Sequence, residues 1–353
     1  MTLPLPPAPR LKVLHVGVTN RGFWPIEHAT PSTGFVSHAL CDINPTALEE
    51  ARRRTGLPAS SCFTDLGDAL ARSGAECVII CTPTKFHVPM VRQSIEAGLP
   101  VLVEKGMAPD WDSARQCAAF VQARRAIAAV AQNYRYKPVE LTIRRALRDP
   151  SFEAWLGPVH QVSFSQQRVR PRVGTLDYPY ASIWDMSCHH MDTLLDWFGP
   201  IANVTAHAWR AAWSPYTRDD PNTSAHLVFD NGTRVHYLHT HDAARSTYDI
   251  ELHGERGALF LRDSSLSFNT RPTEQFGSRP LSVITPVVSA ELDDLLRDFH
   301  AWITTGVEPG ISVRHNLETM AACELLVRSI SQKRTVARSE LDADMQKTLV
   351  TAQ

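Results

Sequence analysis

The chemistry-bearing residues of this 353-residue chain fall into a few short clusters. Lys105 follows Glu104 directly after the apolar run Val101-Leu102-Val103. An ammonium at the carboxyl end of a buried strand has three donors on a reachable stem and can polarise a substrate oxygen. Open parallel sheets bind their ligands at that end. The plain alternative is a surface Glu–Lys pair. Further along, Asp185 and His189 stand four apart, so on a helix they share a face. A carboxylate beside an imidazole orients the ring and favours its protonated form, which suits a base that takes a hydroxyl proton. The plain alternative makes Asp185 a helix N-cap and His189 a half-buried histidine. Asp192 falls on a different face and reads as a cap or anchor. Asp185, Cys188, His189 and His190 crowd together, but adjacent residues on one helix do not converge on one ion and no second cluster has metal spacing, so no metal is expected. His236, His239 and His241 lie along one strand, and His239 and His241 share a face, with cross-sheet packing the expected role.

A second group sits near the start. Val16-Gly17-Val18-Thr19-Asn20-Arg21-Gly22 resembles G-x-G-x-x-G with Thr19 in place of the middle glycine, the one that lets a backbone approach a pyrophosphate. Asp42 ends the next strand, where an acid accepts from ribose hydroxyls and repels a 2′-phosphate, favouring NAD over NADP. Thr82-Pro83-Thr84 closes a later strand ahead of His87, and its proline turns the chain across the sheet edge where a dinucleotide would lie. The segment Gln166–Ile183 is irregular and aromatic, as expected of a substrate-facing loop. Its Arg168, Arg170 and Arg172 alternate and can take a carboxylate or phosphate, or else stay solvated or pair between subunits. Tyr178, Tyr180 and Trp184 offer flat apolar surfaces to a sugar ring.

The elements that must position these residues divide the chain. Strands at Leu11–Val18, Phe35–Asp42, Cys77–Thr82, Val101–Val103 and Ile127–Asn133 alternate with helices at Pro45–Thr55, His87–Gly98 and Trp111–Arg125. Continuous apolar strands between helices predict a parallel sheet covered on both faces. After about Asp149 the pattern changes to alternating strands at Pro158–Val169, Ser224–Phe229, Thr233–Thr240, Thr247–His253 and Ala258–Arg262, with an Asn231-Gly232 hairpin turn. Helices at Asp185–Trp197, Glu291–Thr304 and Val313–Gln332 cover one face. The hydrophobic fraction of 43% and charged fraction of 21% are ordinary for a globular chain. A net charge of −1 offers nothing to nucleic acid or an anionic membrane, and no apolar run is long enough to span a bilayer. The proline-rich start is expected to be a loose tail rather than a signal peptide. Seven scattered cysteines, without Cys-x-x-Cys spacing, fit reduced thiols and a cytoplasmic location.

Gly17/Gly22, Asp42, Thr82-Pro83-Thr84-x-x-His87, Glu104-Lys105, Asn133-Tyr134-Arg135-Tyr136 and Asp185-x-x-x-His189, taken in order, resemble the Gfo/Idh/MocA family of glucose–fructose oxidoreductase and inositol dehydrogenase. The likeness runs over nearly the whole chain after about Leu11. It implies an α/β fold class: an amino-terminal Rossmann domain over residues 11–135, after a tail at 1–10, and a carboxy-terminal α+β domain over 136–353 with a large open, mostly antiparallel sheet. The final helical segment is left free to pack back on the first domain. The resemblance implies a catalytic set of Lys105, Asp185 and His189, with His189 as acid/base, Asp185 as its orienter and Lys105 as polariser. It implies NAD contacts from Gly17, Thr19, Asn20, Arg21, Gly22, Asp42, Thr82, Pro83, Thr84, His87, Glu104, Lys105 and Asn133. Arg135, Arg168, Tyr178 and Trp184 are the candidate substrate contacts. The family's Glu-Lys-Pro, whose proline is commonly cis and aims the lysine, is Glu104-Lys105-Gly106 here. Ser187 stands where glycine is common. The implied activity is hydride transfer between NAD and a secondary alcohol of a sugar, cyclitol or related polyol derivative. Two other readings stay open: a redox-neutral NAD-dependent sugar lyase or glycosidase, and a non-catalytic dinucleotide-binding sensor. The expected partners are a small carbohydrate or polyol and further copies of the chain, as a homodimer or homotetramer through the second-domain sheet. No nucleic acid and no membrane partner is expected.

Overall fold

The computed structural model describes residues 10–172, 178–218, 220–270 and 282–342. The expected tail lies outside them except for Arg10. The chain forms two compact units. The first is built from β1 (Leu11–Val16), α1 (Phe23–His28), β2 (Phe35–Cys41), α2 (Pro45–Thr55), β3 (Cys62–Phe63), α3 (Leu66–Arg72), β4 (Cys77–Ile80), α4 (His87–Glu96), β5 (Val101–Val103), α5 (Trp111–Arg124) and β6 (Ala128–Val130). Its six strands are all parallel in the order β3-β2-β1-β4-β5-β6. Every residue of β4, β5 and β6 is buried, which is why these strands are continuous apolar runs rather than alternating ones. The order reverses between β1 and β4, and ligands of such sheets bind outside the strand carboxyl ends at that switch.

Local chemistry sets the ends of these elements. Asn44 caps α2 by accepting from the Thr46 and Ala47 N–H groups, Pro45 opens its first turn, and Gly56 ends it at φ +70°. Such a side-chain cap contributes about 1 kcal/mol. β4 stops at Ile80 because the Thr82-Pro83-Thr84 corner follows. β6 is shorter than expected, and Asn133–Tyr136 forms a 3-10 turn.

The second unit begins with two helices that the sequence reading missed, α6 (Pro138–Arg148) and α7 (Pro150–Leu156). Then come β7 (Val159–Val169), α8 (Cys188–Phe198), β8 (Ile201–Trp209), β9 (Asn222–Phe229), β10 (Arg234–Thr240), β11 (Asp242–Gly254), β12 (Gly257–Arg262), β13 (Ser265–Thr270) and β14 (Ser282–Ile284). After α9 (Leu292–Thr305) and α10 (Val313–Gln332), β15 (Val336–Ala337) completes a nine-stranded sheet of order β14-β13-β12-β11-β7-β10-β9-β8-β15. Among the described strands of this second sheet only β7 and β10 pair in parallel, so the sheet is mostly antiparallel as expected. The Asn231-Gly232 turn joins β9 to β10 with Gly232 at φ +88°. The division expected at 135/136 falls at Asn133/Tyr134, and the second part is interrupted, because Ala290–Leu317 belongs with the first unit. No helix among the described residues is long and apolar enough to cross a membrane.

Candidate active site

In the first unit the turn after β1 depends on its two glycines. Gly17 has φ +80°, and a Cβ there would lie 2.8 Å from the Cys81 carbonyl; one on Gly22 would lie 2.0 Å from the Gly17 oxygen. Only glycine fits a turn closed this tightly against the end of β4. Thr19, the departure from the motif, is extended and makes no side-chain cap. Asp42 is aimed by two backbone groups: Val18 N–H donates to Oδ2 at 2.9 Å and Asn44 N–H to Oδ1 at 2.8 Å. Each oxygen keeps a further acceptor position, which is the chemistry a ribose diol needs. The residues therefore fit a dinucleotide at this end, with Asp42 on the ribose and the Gly17–Gly22 turn beside the phosphates.

Glu104, 5% exposed, is occupied within the protein. Its Oε1 accepts from Arg21 Nε at 2.7 Å and Trp24 Nε1 at 2.8 Å, and its Oε2 from the Lys105 backbone N–H at 3.0 Å. It braces the turn and the lysine together. Lys105 is half-buried, and the Lys105–Gly106 peptide is cis, so the glycine that replaces the family's proline carries the same bond geometry. His87, also buried, grips both flanks of this region: Nδ1 lies 2.7 Å from the Gly106 oxygen and Nε2 2.7 Å from the Thr82 oxygen. Burial draws its pKa below the usual histidine value, against the pull of the two carbonyls. Pro83 precedes the short 3-10 turn Thr84–Phe86 that leads into α4.

In the second unit, Asp185 and His189 lie on one continuous helical stretch, but it does not begin as an α-helix. Ile183–Ser187 is a π-helical turn and α8 proper starts at Cys188. Asp185 pairs with Arg170 Nη1 at 3.0 Å. His189, 4% exposed, stacks on Tyr134 with ring centroids 4.3 Å apart and planes 12° from parallel. Lys137 Nζ lies 3.3 Å from the centre of the same tyrosine ring. His190 is wholly buried, with Nδ1 2.7 Å from Tyr237 Oη and Nε2 2.9 Å from the Gln166 side-chain amide, while Tyr237 Oη donates to Ser187 Oγ at 2.8 Å. Burial holds His190 well below the ordinary value, so the ring is neutral. This network ties the π turn to β7 and β10.

Three expectations change. Arg135 is not left to a substrate: Nε and Nη2 donate to Asp192 at 2.6 and 3.0 Å, and Nη1 to Asp196 at 3.0 Å. Asp192 is the anchor its helical face suggested, also accepting from Thr319 Oγ1 at 2.9 Å. The irregular segment begins later than Gln166, because β7 runs to Val169; residues 173–177 of it lie outside the described residues. Trp184 is 7% exposed and Tyr178 packs against Ala181 and Tyr216, so both rings face protein. Tyr134, Lys137, Gln166 and Tyr237 were missed as partners of the chemical residues, although Tyr134 lay inside a motif already singled out. No group of three metal-ligating side chains occurs among the described residues.

Comparison with known proteins fits this geometry. Residues 11–132 match the model of an oxidoreductase family with an NAD-binding Rossmann fold, and 153–260 match the GFO/IDH/MocA C-terminal domain. The uncharacterised protein y4oX of Sinorhizobium fredii is 23% identical over 344 residues, covering 90% of this chain and 93% of that protein. Inositol 2-dehydrogenase of Rhizobium meliloti is 25% identical over 312 residues, covering 85% and 90%. A solved oxidoreductase from Agrobacterium radiobacter, in complex with NAD+, L-tartaric acid and magnesium, superposes with a TM-score of 0.82 at 17% identity, covering 94% of this chain and 99% of that one. At that identity the likeness speaks for the fold alone.

Proposed function

The chain belongs to the Gfo/Idh/MocA oxidoreductase family, and from that premise we propose that it is an NAD-dependent dehydrogenase acting on a secondary alcohol of a sugar, cyclitol or related polyol derivative. NAD, when bound, supplies the hydride acceptor or donor. His189 takes the hydroxyl proton at a ring nitrogen. The parallel stack on Tyr134 fixes the plane of that ring, and Asp185 sits one helical turn before it. Lys105 Nζ stabilises the negative charge that develops on the oxygen. Glu104 and His87 act as positioning residues for the lysine, because they hold its backbone from both sides. Asp42 favours NAD, since a carboxylate already oriented by Val18 and Asn44 repels a 2′-phosphate.

The observation that supports this reading most is the buried, stacked His189 following Asp185. The test is NADH formation from NAD across a panel of sugars and cyclitols, with Lys105→Ala and His189→Ala as controls. Each variant is expected to lose about 1,000-fold in kcat while NAD affinity changes by less than about 3-fold. Near-normal turnover in either variant removes that residue from the mechanism. Tight NAD binding without turnover on the whole panel removes the dehydrogenase reading.

A further inference from the structure

The helix-covered face of the second sheet changes character along its length. Cross-strand pairing aligns Leu227, Val235, Val162 and Leu252 in one row, and Ala225, Tyr237, Phe164 and Ile250 in the next. The third row is Thr223, His239, Gln166 and Tyr248. Two residues further along the same face come Arg168 and His241. Four strands thus turn from apolar to polar at one level, which packing against a helix does not require.

The polar end is incompletely satisfied. Thr223 and His239 are fully buried, and Thr223 Oγ1 and both ring nitrogens of His239 have no hydrogen-bond partner among the described residues. Buried polar groups are normally paired, and such gaps mark a missing ligand or water. Arg168 is half-buried and makes no ion pair with any described residue; its Nη1 lies 2.8 Å from Met186 Sδ. Its neighbour Arg170 is already matched by Asp185. Burial, against the pull of Asp185, keeps His239 well below its ordinary pKa, so this imidazole adds no charge. The Arg168 charge is therefore left without a carboxylate among the described residues.

We propose that the substrate carries a carboxylate, and that Arg168 binds it at the polar end of this sheet face, with His239 and Thr223 as the hydrogen-bonding groups behind it. The proposal rests on the dehydrogenase reading above and sharpens its substrate class to sugar acids. A carboxylate matches the planar fork of a guanidinium, which donates two parallel N–H bonds to its two oxygens.

The test uses matched sets built on glucose, galactose and mannose: the neutral sugar, its uronate and its 6-phosphate, each with the NAD-loaded full-length protein. For at least one set, the uronate is expected to exceed its neutral parent by about 30-fold in kcat/KM, and Arg168→Met to cut that ratio to within about 3-fold, mainly through KM. Arg168→Lys is expected to restore part of the preference, because it keeps the charge and loses the fork. Preference for the neutral sugar or the 6-phosphate overturns the carboxylate, as does a ratio that Arg168→Met leaves unchanged. Turnover of neutral sugars alone would overturn this inference and leave the dehydrogenase reading standing. If nothing is turned over, the dehydrogenase reading is decided by the full sugar and cyclitol panel, and calorimetric titration decides the subsite: uronate binding no tighter than the neutral parent overturns it.

Discussion

Lowering the pH from about 7.5 to about 5 should destabilise the second unit steeply, through two buried imidazoles. His190 and His239 are both fully buried, and burial is the main reason each is held well below the ordinary value of 6.5. An imidazole of this kind takes its proton first in the unfolded chain. Its contribution is therefore flat above pH 6.5 and declines as the pH falls from there toward the folded value. At about pH 5, some 1.5 units below the unfolded pKa, each site costs about 2 kcal/mol, whatever the folded value, provided that value lies lower still. Two sites make about 4 kcal/mol, a large fraction of a typical domain's stability. Asp192 works in the opposite sense, because burial raises its carboxyl and acidification relieves it; one carboxyl against two imidazoles leaves a net loss. In the first unit His15, lowered to about 3 by complete burial, adds about 2 kcal/mol of its own over the same window. The assay is urea unfolding followed by tryptophan fluorescence at several pH values, fitting each transition separately. His239→Leu should remove about half of the second unit's pH dependence. A loss below about 1 kcal/mol between the two pH values, or a maximum of stability near pH 5, would refute the reasoning.

Three further outcomes follow from single partners. Glu104→Ala strips the acceptor from the buried Trp24 indole N–H and should cost about 1–3 kcal/mol in urea unfolding; Glu104→Gln keeps an acceptor and should cost less, since Arg21 is 50% exposed and can return to water. Arg135→Met leaves the buried Asp192 with Thr319 alone and should cost about 3–5 kcal/mol, whereas adding Asp192→Leu should recover much of that loss; equal stability of the single variant and wild type would contradict the internal role. Asp42→Ala should weaken NAD at least about 10-fold in a fluorescence titration and narrow the preference over NADP, and an unchanged NAD affinity would take Asp42 out of the cofactor site.

What was legible in the sequence is what rests on local pattern. The doubly buried strand Val101–Val103 and the helix Pro45–Thr55 appear with the expected bounds, because an unbroken apolar run or an Asn-Pro cap with a glycine stop needs no tertiary information. The helices Pro138–Arg148 and Pro150–Leu156 were missed, although each opens on a proline, a residue suited to the first helical position. Strands at Ile201–Trp209 and Ser265–Thr270 were missed because their pattern is mixed rather than cleanly alternating. The π turn at Ile183–Ser187 has no residue preference to read; it is held by Ser187, Tyr237, His190 and Gln166, which come from separate elements.

Spacing nominates residues for chemistry, but only their partners decide which of them remain available for it. Glu104, His87 and Arg135 looked like ligand contacts by position, and each has its charge or its ring nitrogens taken up by named protein groups. Arg168 was one of three alternating arginines and the one named as a candidate substrate contact. Its neighbour Arg170 turned out to be paired and Arg168 did not. His239 was assigned to packing, yet it is a fully buried imidazole whose nitrogens lack partners among the described residues. A polar group buried without a partner costs free energy that a fold of this size has little reason to forgo. Where such a group lies beside an unmatched cation, on a sheet face that turns polar on four strands at one level, the cost is offset when an anionic ligand binds.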